Sequence, residues 1–248
     1  MKRHLSTLAL SALAVAAVGG LTVLRTGLVA EAAWRHDYTS LTVNTYPVSG
    51  SFTDISVTDY YADVQFRVSR DGAVSVVTRD AEDVTHTVRV EGNTLTVTRP
   101  EPTAGQRLFH HEDDDPEVTI YLPAGNYGAL TVSNSSGDIE SAAQLGFASA
   151  NLTTVSGDID LNGSVGGKVV CNTTSGDVEL RSPTIGDVEI NTTSGDAELN
   201  DSYIQSLKVV SVSGDASLER VTAAGAVTIE TTSGDVELER SDAASLTI

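Results

Sequence analysis

Two files of carboxylates dominate the chemistry this sequence could perform. Ser-Gly-Asp occurs six times, which sets Asp138, Asp158, Asp177, Asp196, Asp215 and Asp235 directly after glycines. Two residues further on stand Glu140, Asp160, Glu179, Glu198 and Glu237, with Ser217 breaking the series. Carboxylate arrays of this kind suit Ca²⁺, which takes six to eight oxygen ligands. The six aspartates are therefore the candidate metal ligands, and Ca²⁺ the candidate cofactor. Against a metal, the spacing is not the Gly-Gly-x-Gly-x-Asp nonapeptide of calcium-loaded β-rolls. Turn chemistry offers a second reason for the same residues: glycine supplies a positive φ, and Ser and Asp side chains bind nearby backbone amides. A basic partner riding an acidic face is a third.

The other reactive residue types carry less. His110 and His111 precede Glu112, Asp113, Asp114 and Asp115, but a single loop seldom fixes a metal's geometry unaided. His36 and His86 have no partner cluster nearby in the sequence and read as surface residues. Cys171, the only cysteine, rules out an intrachain disulfide and falls among apolar residues as a small hydrophobe. Threonine pairs such as Thr173-Thr174 and Thr192-Thr193 precede the turns and read as solvent-tolerant strand positions. No nucleophile–base–orienter set, phosphate loop or HExxH helix is present, so no residue is assigned to catalysis or to a cofactor. A polysaccharide-active β-helix enzyme is the alternative reading. It lacks aromatic platforms for sugar rings and, across 131–248, has only Lys168, Arg181, Lys208, Arg220 and Arg240 to meet an anionic substrate.

A formal net charge of −19 argues against nucleic acid as a partner, because that binding needs cationic side chains to displace counterions. It likewise opposes polybasic attraction to anionic lipid.

The carboxylates must be positioned by what lies between them. The turn glycines Gly137, Gly157, Gly176, Gly195, Gly214 and Gly234 are spaced 20, 19, 19, 19 and 20 residues apart. Five residues before them stand Val132, Leu152, Cys171, Ile190, Val209 and Ile229; seven before stand Leu130, Ala150, Val169, Val188, Leu207 and Val227. After the glycines, Ile139, Ile159, Val178, Ala197, Ala216 and Val236 are followed at the next alternate position by Leu161, Leu180, Leu199, Leu218 and Leu238, with Ser141 the exception. Each unit is thus two short strands of period two around a turn. One unit of about 19 residues cannot bury both stripes, but stacked units can. The expected fold is an all-β, single-domain parallel β-solenoid, or β-helix, with both acidic files on its outer face. Leu246 and Ile248 begin a further, partial unit in the same apolar columns.

Three regions follow. Residues 1–32 combine Lys2, Arg3 and His4 with an apolar run closed by Arg25, which reads as a cleaved signal peptide or a retained N-terminal membrane anchor helix. Ala30-Glu31-Ala32 supports cleavage, whereas a run of roughly 20 residues would suffice to span. Either way the body is extracytoplasmic, anchored at the envelope or secreted, and it meets a membrane only through an uncleaved N-terminus. Residues 41–130 keep strand alternation without the Ser-Gly-Asp mark and form irregular N-terminal rungs, interrupted by an acidic loop near 99–116. Residues 131–248 are the regular repeats.

The strand pair around Ala62-Asp63-Val64, the Gly92-Asn93-Thr94-Leu95-Thr96-Val97 hairpin, the Val118–Pro123 strand and the Ser-Gly-Asp units together resemble the bacterial putative-adhesin family of β-strand-repeat proteins, a domain of unknown function. The resemblance covers about residues 41–248. It implies a solenoid at the cell envelope and brings no catalytic residues with it. The function expected is a non-enzymatic interaction or adhesion scaffold with an acidic outer face, whose partner is an envelope protein or a glycan.

Overall fold

The computed structural model describes residues 42–80, 85–101 and 116–248, together with three short strands, β1 (Ala17–Val18), β2 (Leu21–Thr22) and β3 (Leu24–Thr26). The helix expected over residues 1–32, and with it the choice between signal and anchor, lies outside what is described there. No helix among the described residues is long and apolar enough to cross a membrane.

The repeats stack as a parallel β-solenoid. One sheet takes the long strands β11 (Gly125–Ser133), β13 (Leu145–Thr153), β15 (Val169–Asn172), β17 (Ile185–Asn191), β19 (Tyr203–Ser211), β21 (Thr222–Thr231) and β23 (Asp242–Thr247). The other takes the short strands β12 (Ile139–Ser141), β14 (Ile159–Leu161), β16 (Val178–Arg181), β18 (Ala197–Asn200), β20 (Ala216–Glu219) and β22 (Val236–Glu239). Pairing is parallel and equivalent residues stack, as in Cys171 on Ile190 and Leu180 on Leu199. Alternation turns the apolar columns inward, where Leu180, Leu199, Ile190 and Val209 are fully buried.

A third apolar column closes the core: Phe147, Val165, Ile185, Ile204 and Ala223 stack rung upon rung. It drifts against the turn glycines because extra residues enter between it and them. One is a bulge in β21, where Ala223 to Val227 spans four residues against the three from Ile204 to Leu207. That insertion accounts for the final repeat spacing of 20.

Residues 42–122 supply two further rungs, stacked out of chain order. Strands β5 (Asp54–Thr58) and β6 (Asp63–Val68) pair in parallel with β11 and β12. Strands β9 (Thr94–Thr98) and β10 (Glu117–Leu122) stack on the far side of β5 and β6. Antiparallel strands then finish this end: β7 (Ser75–Asp80), β4 (Thr42–Pro47) and β3 beyond β10, and β8 (Thr87–Glu91) beyond β9. At the opposite end no strand among the described residues stacks on β23; Leu246 keeps the expected register on Val227, and Leu246 and Ile248 are 49% and 68% exposed.

Candidate functional site: an acidic face and a buried charge cluster

The outer face of the short-strand sheet carries the carboxylates, and the aspartates after the glycines form a bonded file. The Oδ1 of each accepts a hydrogen bond from the backbone N–H of the aspartate one rung on. The distances are 2.8 Å from Asp158 to Asp138, 2.8 Å from Asp177 to Asp158, 2.7 Å from Asp196 to Asp177, 2.8 Å from Asp215 to Asp196 and 2.7 Å from Asp235 to Asp215. Asp63 begins the file by accepting from the Asp138 N–H at 3.0 Å. One oxygen of each internal aspartate is therefore committed to holding the next rung. The file is linear, with one carboxylate per rung spacing of about 4.8 Å. Among the described residues no group of three or more His, Cys, Asp or Glu is gathered to hold a metal ion.

Glycine is required here for a different reason from the one expected. None of the Ser-Gly-Asp glycines has a positive φ. Instead the rungs touch: a Cβ on Gly157, Gly176, Gly195 or Gly214 would lie 1.8–2.1 Å from the carbonyl oxygen of the glycine below. The threonine that stands three residues before four of the six glycines also departs from expectation. Thr154, Thr173 and Thr192 are buried, and their hydroxyls accept the N–H of Gly157, Gly176 and Gly195 at 3.2, 3.1 and 3.0 Å. The second threonine of a pair such as Thr173-Thr174 remains exposed.

The second file stacks Glu140 on Asp160, Asp160 on Glu179 and Glu179 on Glu198. Its repulsion is partly met from the flank: Arg67 donates to both carboxylate oxygens of Glu140 at 2.6 Å, Asn162 donates to Asp160 at 2.8 Å, and Arg181 pairs with Glu179. Partial burial, then the charges of Glu179 and Glu140, raises the Asp160 carboxyl above its ordinary value. A shallow open depression runs along this face over four rungs, with walls of Asp138, Asp158, Asp177, Glu140, Asp160 and Glu179. This arrangement can attract cations or a basic surface. The opposite face is mixed in charge, as where Lys168 donates to Glu189 at 2.7 Å.

Cys171 lies in the core, and burial pushes its thiol up to about 12, which leaves it unreactive. His36, His110, His111 and the acids from Glu112 to Asp115 lie outside the described residues.

His86 is not a surface residue. It is buried between two carboxylates, with Nε2 2.6 Å from Asp59 Oδ2 and Nδ1 2.9 Å from Asp80 Oδ2. Arg99 Nη1 lies 3.5 Å from Asp59 and 3.9 Å from Asp80, and its guanidinium packs over the Tyr61 ring. Asp59 stands three residues before Ala62, the place that threonine takes in later rungs, and its Oδ1 accepts the Ala62 N–H at 2.9 Å. Burial disfavours the imidazolium, but the hydrogen bonds and charges of Asp59 and Asp80 outweigh it and raise His86 to about 9. Burial likewise opposes ionisation of Asp59, yet His86, the Ala62 N–H and Arg99 hold its carboxyl below the ordinary value. The histidine and both carboxylates have no exposed side-chain surface, so the cluster cannot meet a substrate without an opening.

No curated protein sequence matches the chain. Solved structures similar to it include a putative adhesin from Bacteroides fragilis, at 16% identity and a TM-score of 0.47 over 85% of this chain and 98% of that one. A putative lipid binding protein from Parabacteroides distasonis is similar at 14% identity and 0.43, covering 83% and 96%. A putative cell adhesion protein from Clostridium sporogenes follows at 12% and 0.42, covering 82% and 100%. The sequence model of one family matches residues 52–248, from just before β5 through β23, and the chain accordingly belongs to the Toastrack DUF4097 family.

Proposed function

We propose that this protein is a non-enzymatic interaction or adhesion scaffold of the cell envelope, which engages a basic partner surface through its acidic face. The observation that carries this reading is the second carboxylate file. Glu140, Asp160, Glu179 and Glu198 project from consecutive rungs on a rigid sheet, in a chain of net charge −19. A carboxylate every 4.8 Å or so creates a continuous negative potential that steers cationic groups and fixes their register. The first file contributes charge but also serves the fold, because its Oδ1 atoms bind backbone. The one histidine flanked by carboxylates among the described residues is sealed inside, away from the acidic depression, whose polar walls are carboxylates.

The test is binding of the full chain to envelope preparations at low and high ionic strength, compared with a Glu140→Gln/Glu179→Gln/Glu198→Gln variant. Binding through this face should weaken at least tenfold in the variant and fall steeply with salt. Equal binding by a variant that melts like the parent would refute the assignment.

A further inference from the structure

The buried cluster joins four strand ends from both sheets. Asp59 follows β5 and Arg99 follows β9, both in the long-strand sheet; Asp80 ends β7 in the other sheet; His86 immediately precedes β8, the edge strand. The register Thr87–Thr98 sets His86 opposite Arg99 on the antiparallel pair β8–β9. Charged groups face the imidazole from three directions: Asp59 from the β5–β6 turn, Asp80 from β7 and Arg99 from β9, with the Tyr61 ring behind Arg99. Counting the described residues, with His86 protonated two anions meet two cations and the cluster is neutral. Without that proton, one net negative charge remains where Asp59 and Asp80 have no exposed side-chain surface, a strongly unfavourable arrangement.

We propose that His86 is a latch that fastens the edge strand β8 and the end of β7 to the first rungs while its ring carries a proton, and that loss of this proton opens that end of the solenoid. Opening frees β8 from β9 and exposes the β9 edge and the inward-facing Val88 and Val97. The rungs from β13 to β22 have no part in the cluster and stay stacked.

The direction follows from linkage. A histidine whose folded value is raised from 6.5 to about 9 contributes stability that is complete below 6.5 and lost as pH rises through about 9. The opening equilibrium should grow on the order of a hundredfold between pH 7 and pH 10. On the acid side the latch also weakens, as Asp59, whose carboxyl is held low, gains its proton.

The decisive experiment is NMR on the full chain, following the His86 ring resonances together with amide exchange in β8 and in β17, corrected for the intrinsic pH dependence of exchange. The latch predicts that His86 stays protonated well above 6.5, and that β8 protection falls as the ring titrates while β17 protection holds. A ring that titrates at or below 6.5, or β8 protection unchanged across its titration, overturns the proposal. His86→Gln adds a second check: its β8 exchange should already be fast at pH 7 and lose the pH step. Should that variant not fold, the wild-type titration decides alone.

Discussion

Replacing Gly176 with alanine should be severely destabilising, although the same change in most extended segments is mild. A Cβ at position 176 would sit 1.8 Å from the Gly157 carbonyl oxygen and 2.4 Å from its carbon. Both are backbone atoms held by the stack below, so no side chain can swing aside. The rung must lift by an ångström or more. Overpacking of this kind costs roughly 1–3 kcal/mol. The lift also strains the Gly176 N–H to Thr173 and Asp177 N–H to Asp158 bonds, at 3.1 and 2.8 Å, each contributing about 1 kcal/mol. The sum is about 3–5 kcal/mol, or a fall in Tm of roughly 6–20 °C for a chain of this size. Gly166 provides the control, since no atom lies within 4 Å of its Cβ position and its φ is not positive. There the loss of backbone freedom in the unfolded chain should make alanine neutral or stabilising by about 0.4–1 kcal/mol. Thermal and urea unfolding of the two variants would decide the matter. Equal stabilities would refute the argument that glycine is present to let rungs touch.

Thr192→Val removes the hydroxyl that accepts the Gly195 N–H at 3.0 Å in a buried position. It should cost about 1–3 kcal/mol in urea unfolding, whereas Thr193→Val, on the exposed side, should change little. Ile190→Asp puts an unpaired charge into the core and should prevent cooperative melting altogether. For the acidic file, Ca²⁺ and NaCl at matched ionic strength should raise Tm alike, because screening of stacked carboxylates needs no coordination. A saturable Ca²⁺ shift that vanished in Asp177→Asn/Asp196→Asn, where the amide oxygen still accepts the ladder bond, would instead make the file a calcium site. The export reading of Lys2, Arg3 and the apolar run after them predicts that a reporter fused after Ile248 is active only outside the cytoplasm; strong cytoplasmic activity would reject that reading.

The regular half of the solenoid was legible because its signals are periodic. Val169, Cys171, Val178 and Leu180 repeat at fixed distances from a turn glycine, and period-two alternation assigns their direction. The third column was not legible, since Phe147, Val165, Ile185 and Ile204 drift against the glycines wherever a bulge adds a residue. Nor could alternation show the close approach at Gly176, which depends on how tightly rungs stack, so a positive φ was the natural but mistaken reason for glycine. His86 shows the largest gap. Its partners lie 6 and 27 residues away, and only the antiparallel return of β7 and β8, with rungs out of chain order, brings them together. With hindsight one signal existed: Asp59 stands three residues before Ala62, where later units place threonine before glycine, so the turn at 59–63 is a repeat lacking its mark.

Everything proposed for the acidic face depends on Glu179 and Glu198 lying exactly one rung apart and side by side. Paired cysteines measure this directly. In a Cys171→Ala background, Glu179→Cys/Glu198→Cys places two thiols on neighbouring parallel strands, with Cα atoms about 4.8 Å apart and within disulfide reach. Glu179→Cys/Ser217→Cys places them two rungs, or roughly 9.6 Å, apart and beyond reach. Mild oxidation of the full chain should close an intramolecular disulfide in the first pair and leave the second as free thiols. Cross-linking of the second pair in preference to the first would contradict the stacked register and the acidic face built on it.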